Sequence, residues 1–557
     1  MTCHNVPALS LSVVRDGQVM VCRGYGVLEV DSRRPVTSAT PFPIASLTKA
    51  FLSTLLAQLI QSNPRLTWDT PIRDILSHDL SYTDPYRNEK VTIRDLLAHR
   101  TGLSRNDPMR LYGFTLDQLI ERMRFLNYSS GFRVSHKYNN LMYGVASAVA
   151  EELGEGGTWE ELVRQRLLLP LAMTSTVFLN SPDIAWDLFP AAYTNDGETL
   201  RRISLDATKA FSTTTSAPGG MATNAEDMAK WLLFQLSGGR NLEGTSLVNE
   251  IMLQSTHQGA SLLTSPPLFS KPLFPVTYSH DQYALGWVSG YYRGYRTSDH
   301  SGSQGGYKSL LTLIPAENIG IYTAVSQDDS LVRYLVHVYI ADLLLGEEPW
   351  VNASWACSVK SNTIQRTDAG WDSVMTRARP ASVDDRNKDK DQVLIADDLS
   401  DGDNQDEQLS LNVDYSDISK KFAQPPAVTN NSFGRESYAK PTKNISSPYS
   451  KYIGLYGNIA YGNISVDIVE NNATDGDKVW LIMRYGPIAK WRLEPVGLSH
   501  VFKAHGQEPF WYWRMFVWFR VNMTAASHVT VLFDAETPPL FTRDLTFADA
   551  VASISTN

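Results

Sequence analysis

Two groups of strand-like segments, separated by a long helical stretch, constrain the fold of this 557-residue chain most strongly. Apolar runs at 8–14 and 18–25 flank the turn Arg15-Asp16-Gly17, which predicts a β-hairpin. Strand patterns return much later, at 284–292, 298–302, 309–314 and 319–325, and a final helix is predicted over 331–345. The two ends of such a region must meet in one sheet. The pattern therefore predicts an α/β fold with a helical lobe inserted between the two groups of strands.

The helix that follows the hairpin opens with a serine and a lysine three residues apart. After Ser46, apolar residues recur at the three-and-four spacing of a helix with one buried face. Ser46 and Lys49 then lie on the same side of its first turn. A serine hydroxyl needs a base within hydrogen-bond reach to become a nucleophile. The alternative is an ordinary capped helix, because the same spacing recurs at Ser437–Lys440 in a loop-like context.

Composition divides the chain into three parts. We expect a domain over 1–350, an acidic and largely disordered linker over 351–446, and a small all-β domain over 447–557. Between residues 380 and 420 there are twelve acidic and four basic residues, which account for most of the net charge of −9. No run of Lys and Arg appears, so nucleic acid and an anionic membrane surface are not expected partners.

The sequons favour a secreted location, with a cytoplasmic one as the alternative. Asn-x-Ser/Thr sequons stand at Asn127, Asn352, Asn430, Asn444, Asn463, Asn472 and Asn522. Five of them follow residue 420, as in a glycosylated C-terminal part. No secretory signal is visible at the start, so secretion requires a signal upstream of Met1. No apolar run approaches the roughly 20 residues of a membrane helix.

Cysteine and histidine usage argues against a metal centre. Cys3, Cys22 and Cys357 leave at least one thiol unpaired or intermolecular, and the sequence leaves their pairing open. No paired Cys-x-x-Cys and no His-x-x-x-His spacing is present. We therefore expect neither a metal nor another cofactor. The expected binding partner is a small-molecule or peptide substrate.

Candidate partners for Ser46 lie downstream. An activated serine needs a proton acceptor, an orienting group and donors for the oxyanion. Tyr138 and Asn140 open a predicted helix over 141–153 after a polar turn, and His300 precedes Gly302 on a predicted late strand. Each of these spacings recurs elsewhere in the chain, so the prediction rests on the order of the motifs and on their sequence context.

In that order, Ser46-Leu47-Thr48-Lys49, Tyr138-Asn139-Asn140 and His300-Ser301-Gly302 resemble the three motifs of the serine β-lactamase and D-alanyl-D-alanine peptidase superfamily, in its class C and S12 peptidase branch. The phrases at 24–27, 96–103, 218–221 and 285–287 are similar to that family as well, and the resemblance covers about residues 6–345. It implies an antiparallel sheet flanked by helices, with a helical lobe. The region around 452–458 resembles the lipocalin-like β-domain appended to some of these peptidases.

The resemblance also implies roles. Ser46 would attack a carbonyl to give an acyl-enzyme, while Lys49 and Tyr138 would share the work of base and acid, in an order that is disputed for related enzymes. Asn140 would orient the lysine or the substrate amide. The backbone N–H groups of Ser46 and Ser303 would form the oxyanion hole.

His300, Ser301, Gly302 and Ser303 are the expected substrate-binding residues. His300 stands where many members of the family carry lysine, and it would bind a substrate carboxylate only if protonated. The expected function is a serine hydrolase that acts through an acyl-enzyme on an amide or ester. The alternative is an inactive extracellular matrix or binding protein with the same fold, and a β-lactamase proper ranks below both because sequons suggest a eukaryotic secretory setting.

Overall fold

Among the residues that the structure describes, eight antiparallel strands form one sheet in the N-terminal unit of this computed structural model. The structure describes residues 1–76, 82, 84–195, 199–212, 214–263, 278–328, 331–358, 449–470, 479–495, 500–507, 514–521, 525–531 and 538–544. The strands of the N-terminal unit are β1 Ala8–Arg15, β2 Gln18–Gly26, β3 Phe42–Pro43, β4 Val177–Phe178, β5 Ala192–Asn195, β6 Leu200–Ile203, β7 Met221–Thr223, β8 Ser261–Leu262, β9 Tyr278–Tyr283, β10 Val288–Tyr292, β11 Tyr295–Gln304, β12 Tyr307–Ile314 and β13 Ile319–Val325.

The order of this sheet is β2-β1-β13-β12-β11-β10-β9-β8. Its early and late strands meet where β1 pairs with β13, with Leu9 opposite Val325. The prediction that the two ends of the region share one sheet is therefore confirmed. The predicted hairpin is present too: Asp16 and Gly17 both have positive φ, of 50° and 76°, as a two-residue turn between twisted strands requires.

Helices cover both faces of the sheet. They are α1 Thr48–Gln61, α2 Pro85–Lys90, α3 Ile93–Leu97, α4 Leu116–Arg122, α5 Asn140–Leu153, α6 Trp159–Val163, α7 Leu205–Ala210, α8 Ala225–Leu236, α9 Glu250–Thr256, α10 Val332–Leu345 and α11 Ala353–Ser358. Alternate residues of β13 enter two different cores: Tyr322 shares one with Trp231 of α8, and Ile321 shares the other with Leu335 of α10. The central strand is consequently buried along its whole length.

The strand predicted over 284–292 is present only over its second half, 288–292. The structure ends β9 at Tyr283 and begins β10 at Val288, with Gly286 between them at a φ of +83°. A Cβ on Gly286 would lie 2.9 Å from the carbonyl oxygen of Lys49, so the break lets the chain approach the backbone of α1. The apolar run there reflects burial against α1 and not pairing within a strand.

The short helix α2 begins with a cap and a proline. Asp84 caps α2 by accepting a hydrogen bond from the N–H of Tyr86 at 3.0 Å, and Pro85 fills the first helical position. Two further helices of the lobe also begin at capping residues. Thr92 forms a capping box with Asp95 at the start of α3, and the Asn139 side chain accepts from the N–H of Leu141 at 2.8 Å at the start of α5.

The boundary expected at residue 350 needs a correction. Residues 353–358, which were assigned to a disordered linker, form α11, and the buried side chain of Trp355 joins the core beneath α10. Cys357 in this helix is disulfide-bonded to Cys3, with 5.5 Å between their Cα atoms. The N-terminal unit therefore extends to Ser358. The rest of the predicted linker lies outside the described residues.

In the described part of the C-terminal region, eight antiparallel strands form a closed sheet, called the C-terminal barrel below. They are β14 Gly454–Asn458, β15 Gly462–Glu470, β16 Val479–Tyr485, β17 Ala489–Pro495, β18 Val501–Gly506, β19 Arg514–Val521, β20 Ala526–Val531 and β21 Leu540–Arg543. The sheet closes where β14 pairs with β21, and Trp491, Val517 and Val529 are among its fully buried side chains. This region is all-β, as the sequence predicted.

The C-terminal barrel packs against the helical lobe through two of its turns. Arg122 at the end of α4 donates a hydrogen bond to the carbonyl oxygen of Ile459 at 2.8 Å, and the rings of Tyr112 and Tyr485 lie 5.3 Å apart. Buried apolar residues of the lobe and of the barrel belong to one continuous core. Within the described ranges, no helix is long and apolar enough to span a membrane.

Candidate active site

Ser46 lies in a tight turn immediately before α1. One turn of 3₁₀ helix, Ala45–Leu47, leads into the α-helix that begins at Thr48. Ala45 has a φ of 46° although it carries a Cβ, a conformation that only surrounding contacts can maintain. The turn leaves the Ser46 side chain partly exposed while both neighbouring residues are buried.

Lys49 is fully buried beneath this serine. Its Nζ lies 3.1 Å from Ser46 Oγ, 2.8 Å from Asn140 Oδ1 and 2.6 Å from the carbonyl oxygen of Pro218. Burial lowers the pKa of Lys49 well below its ordinary value, and the positive charges of Arg110 and Arg105 lower it further while Asp107 opposes them. Burial and these charges therefore favour the neutral amine of Lys49 over its ammonium form.

The surroundings of Lys49 decide where its lone pair points. Asn140 Nδ2 donates to Asp107 Oδ1 at 2.8 Å, so Asn140 turns its oxygen to the lysine. That oxygen and the carbonyl of Pro218 can only accept hydrogen bonds. A neutral Lys49 amine donates its two N–H groups to them, and its lone pair is left for the hydroxyl of Ser46.

Tyr138 reaches Ser46 from another side. Its hydroxyl lies 2.9 Å from Ser46 Oγ, and Lys49 Nζ lies 4.8 Å from the centre of its ring. Both the lysine and the tyrosine thus lie within hydrogen-bond distance of the serine, as the resemblance of the three motifs implied. The structure brings Ser46, Lys49, Tyr138 and Asn140 together. Their catalytic roles stay predictions.

Strand β11 lies beside the Ser46 turn. A Cβ on Gly302 would collide with the carbonyl oxygen of Ile44 and lie 3.2 Å from the Cβ of Ala45. Ser309 on the neighbouring strand donates to the same Ile44 oxygen at 2.7 Å. The strand is thereby fixed next to Ser46, where Ser303 was predicted to supply an oxyanion-hole N–H.

His300 is buried and neutral. Its Nδ1 lies 2.7 Å from the carbonyl oxygen of Ser301, which can only accept, so the proton is on Nδ1 and Nε2 accepts from the hydroxyl of Tyr283 at 2.9 Å. Burial lowers the pKa of His300 to about 3, and Lys49 contributes to this lowering whenever its amine is charged. The side chains of Ser301 and Ser303 alternate with it on the exposed side of the strand.

Two residues near the site were missed from the sequence. Asp107 accepts from Asn140 and, at 2.6 Å, from Arg105 Nε. Burial alone would raise the pKa of Asp107, but the nearby Arg105 and Arg110 guanidinium groups outweigh it and lower that pKa. No periodic pattern in the sequence marks Asp107, because it lies in the short 3₁₀ turn Asp107–Leu111.

His99 is the second missed residue. Its buried ring lies 4.3 Å from the ring of Tyr138 and 4.7 Å from that of Tyr283. Its Nδ1 accepts from the N–H of Asn139 at 3.0 Å, which ties the end of α3 to the residue beside Tyr138. Among the described residues, no group of three or more His, Cys, Asp or Glu side chains is placed to hold a metal ion.

Comparison with known proteins gives consistent matches. Residues 1–344 match the family model described as beta-lactamase. Unguisins hydrolase ungD' of Aspergillus campestris is 27% identical over 342 residues, which are 57% of this chain and 58% of that protein. Gigasin-6 of Magallana gigas is 27% identical over 234 residues, which are 41% of this chain and 76% of that protein. The chain thus spans less than two thirds of the length of the Aspergillus protein.

One solved structure aligns with most of the chain. The octameric penicillin-binding protein homologue from Pyrococcus abyssi covers 97% of both chains, with a TM-score of 0.52 and 17% identity. At that identity the likeness establishes a shared fold.

Proposed function

The chain belongs to the beta-lactamase family, and from that premise we propose that it is a serine hydrolase that forms an acyl-enzyme at Ser46 on an amide or an ester. The observation that carries the proposal is the environment of Lys49, whose two other hydrogen-bond partners are obligatory acceptors. A neutral lysine in this position presents its lone pair to Ser46 Oγ, which makes it a general base without any rearrangement.

The proposed reaction has two halves. In the first, Ser46 Oγ attacks the carbonyl carbon, its proton passes to Lys49 Nζ, and the Tyr138 hydroxyl gives a proton to the leaving nitrogen or oxygen as the bond to the carbonyl carbon breaks. Lys49 then returns the proton to Tyr138. In the second half, water attacks the acyl carbon and gives its proton to Lys49 Nζ, and that proton passes to Ser46 Oγ as the bond between Oγ and the acyl carbon breaks.

The neutral His300 bears on the substrate class. A protonated histidine at this position would attract a carboxylate next to the scissile bond, and the hydrogen bonds of His300 oppose that form. We infer that the substrate is an amide or ester whose acyl part needs no carboxylate. The relative named unguisins hydrolase supports a hydrolytic function. Because the match covers only part of both proteins, its substrate is not assigned to this chain.

Labelling with active-site probes tests the proposal. We expect a fluorescent phosphonate to modify the chain at Ser46, a fluorescent penicillin, which carries a carboxylate, to label more weakly, and Ser46→Ala to abolish both signals. His300→Lys should improve penicillin labelling relative to phosphonate labelling. A folded wild-type chain that takes up neither probe would overturn the hydrolase proposal and favour the inactive binding protein.

We also propose that the protein is secreted. A disulfide between Cys3 and Cys357 suits an oxidising compartment, and the sequon residues Asn127 and Asn352 are exposed. Asn463 is half-buried on β15, with its Oδ1 enclosed. Mapping of peptides after glycosidase treatment of protein from the native source should find glycans at Asn127 and Asn352. Unmodified asparagine at both would count against secretion.

A further inference from the structure

We propose that the C-terminal barrel positions Lys49, the proposed base. The path from Tyr461 to Lys49 consists of hydrogen bonds and the peptide link between Asn106 and Asp107. The inference rests on the proposed function, because it assigns Tyr461 as a positioning residue for the reaction at Ser46. Tyr461 lies in the turn between β14 and β15, far from Ser46 in the sequence, and no motif of the sequence points to it.

The barrel holds Tyr461 firmly. Its side chain is buried, its N–H donates to Asn458 Oδ1 at 2.9 Å, and its carbonyl oxygen accepts from the hydroxyl of Tyr485 at 2.9 Å. The Tyr461 hydroxyl donates across the interface to Asn106 Oδ1 in the helical lobe. A turn fixed at both its backbone groups can thus transmit its position to the lobe.

Backbone contacts between the two parts leave little room for movement there. A Cβ on Gly462 would lie 2.7 Å from atoms of the Tyr112 ring, and a Cβ on Gly486 would lie 2.8 Å from the Cα of Tyr112. Both glycines have positive φ, of 84° and 60°. The two turns of the barrel are therefore shaped to receive the segment that follows Asn106.

Asn106 connects this interface to the site. Its backbone is left-handed, with a φ of 50°, and its Nδ2 donates to the carbonyl oxygen of Ser104 at 2.7 Å, which fixes the amide with its oxygen toward Tyr461. The same Ser104 oxygen accepts from Asn139 Nδ2 at 2.6 Å. Asn106 thus spans from the barrel to the residues that open α5.

The next residue completes the path. Asp107 follows Asn106 directly and receives Asn140 Nδ2 at 2.8 Å, and Asn140 Oδ1 receives Lys49 Nζ at 2.8 Å. A shift of Asp107 would turn the amide of Asn140 and take an acceptor from Lys49. The direction of the lysine lone pair, on which the reaction depends, is therefore coupled to the hydroxyl of Tyr461.

The experiment compares Tyr461→Phe with Tyr456→Phe in the full chain. Tyr456 is a matched control. Its buried hydroxyl donates at 2.7 Å to the carbonyl oxygen of Tyr452, which belongs to the C-terminal region and not to the lobe. We expect Tyr461→Phe to slow phosphonate acylation of Ser46 roughly fivefold and to displace the acid limb of its pH profile. Tyr456→Phe should change neither. In an Asp107→Asn background the effect of Tyr461→Phe should largely disappear.

Hydrogen–deuterium exchange of the peptide over 104–111 gives a second measurement that needs no activity. It should rise in Tyr461→Phe and not in Tyr456→Phe. An unchanged acylation rate and pH profile, or unchanged exchange, would overturn the inference. If the wild-type chain is not labelled at Ser46, the proposed function fails, and the exchange measurement alone then supports or overturns the link between the barrel and the site.

Discussion

Lys49 is the residue whose protonation state controls the candidate site. As a general base it must be neutral, and burial together with Arg110 lowers its pKa toward the neutral range. His300 and His99 also have lowered pKa values, because both imidazoles are buried near Lys49. Lowered pKa values favour the neutral form of both imidazoles, so the charge of the site is set mainly by Lys49 and its charged neighbours.

This assignment predicts the pH dependence of acylation. The rate should rise as the pH passes upward through the lowered pKa of Lys49, since only the neutral amine accepts the serine proton. Asp107→Asn removes the negative charge that raises the pKa of Lys49, so the acid limb should move to lower pH. The plateau should fall roughly tenfold, because the Arg105 and Asn140 contacts of the carboxylate are weakened. Rates of phosphonate labelling between pH 5 and 9 measure both effects.

The control for that profile is His300→Gln. Since the pKa of His300 is about 3, the histidine does not titrate in this range and the acid limb should keep its position in the variant. A limb that disappears in His300→Gln would assign the titration to the histidine and contradict the role given to Lys49.

At the residue level, sequence patterns identified the candidate catalytic side chains but not the residues that hold them in position. Ser46 and Lys49 were predicted to lie together from helical spacing alone, and Tyr138, Asn140 and His300 were found by their order along the chain. Asp107 was missed because a carboxylate in a short 3₁₀ turn has no periodicity that would mark it. The tautomer of His300 was equally hidden, because it depends on the hydroxyl of Tyr283 on a neighbouring strand.

Strand β11 and the turn before α1 form the element pair on which the site is built. Their contact passes through Gly302, which lies against the carbonyl oxygen of Ile44 and near the Cβ of Ala45. Any side chain at 302 pushes these two elements apart. The glycine of the third motif thus allows two backbones to approach closely. The turn already holds Ala45 in a left-handed conformation, so it cannot easily shift to make room for a side chain at 302.

Gly302→Ala should therefore reduce both stability and acylation. We expect a loss of about 1–3 kcal/mol in the free energy of unfolding, typical of overpacking, and a larger relative loss in the rate of labelling at Ser46. Gly157→Ala is the control, because a Cβ there would meet Leu162 only at an ordinary 3.5 Å. Denaturant unfolding and labelling rates of both variants check the prediction. Equal behaviour of the two would contradict it.

At the level of elements, helices with caps were predictable and breaks caused by tertiary contact were not. Capping residues such as Thr92 and Asn139 are local signals, and the helix expected over 141–153 begins at Asn140, next to its cap. The break at 284–287 is enforced by the approach of Gly286 to α1, which lies more than 200 residues earlier in the chain. A window of neighbouring residues contains no trace of that contact.

The whole N-terminal unit is closed by the disulfide between Cys3 and Cys357. It joins residues 354 positions apart and ties α11 to the start of the chain. The sequence left the pairing open, because three cysteines allow several choices. Cys22 remains a free thiol on the edge strand β2.

Removing this disulfide should destabilise the N-terminal unit. Cys3→Ser with Cys357→Ser is expected to lower the free energy of unfolding by about 2–4 kcal/mol, because the unfolded chain regains conformational freedom. Cys22→Ser should leave it nearly unchanged. Thermal unfolding with and without a reducing agent provides the measurement. If reduction shifts the wild-type transition no more than it shifts that of the double variant, the disulfide is not formed in the sample.

The pairing of β1 with β13 has a consequence for synthesis on the ribosome. Leu9 cannot pair with Val325 until the ribosome has added more than 300 further residues. At ordinary rates of about 5–20 residues per second, the nascent first hairpin spends roughly 15–60 s with one edge unpaired. An open edge of apolar strand is a template for association with other chains. Chaperones that shield nascent strands are therefore expected to govern the yield of this protein more than the final stability of its sheet.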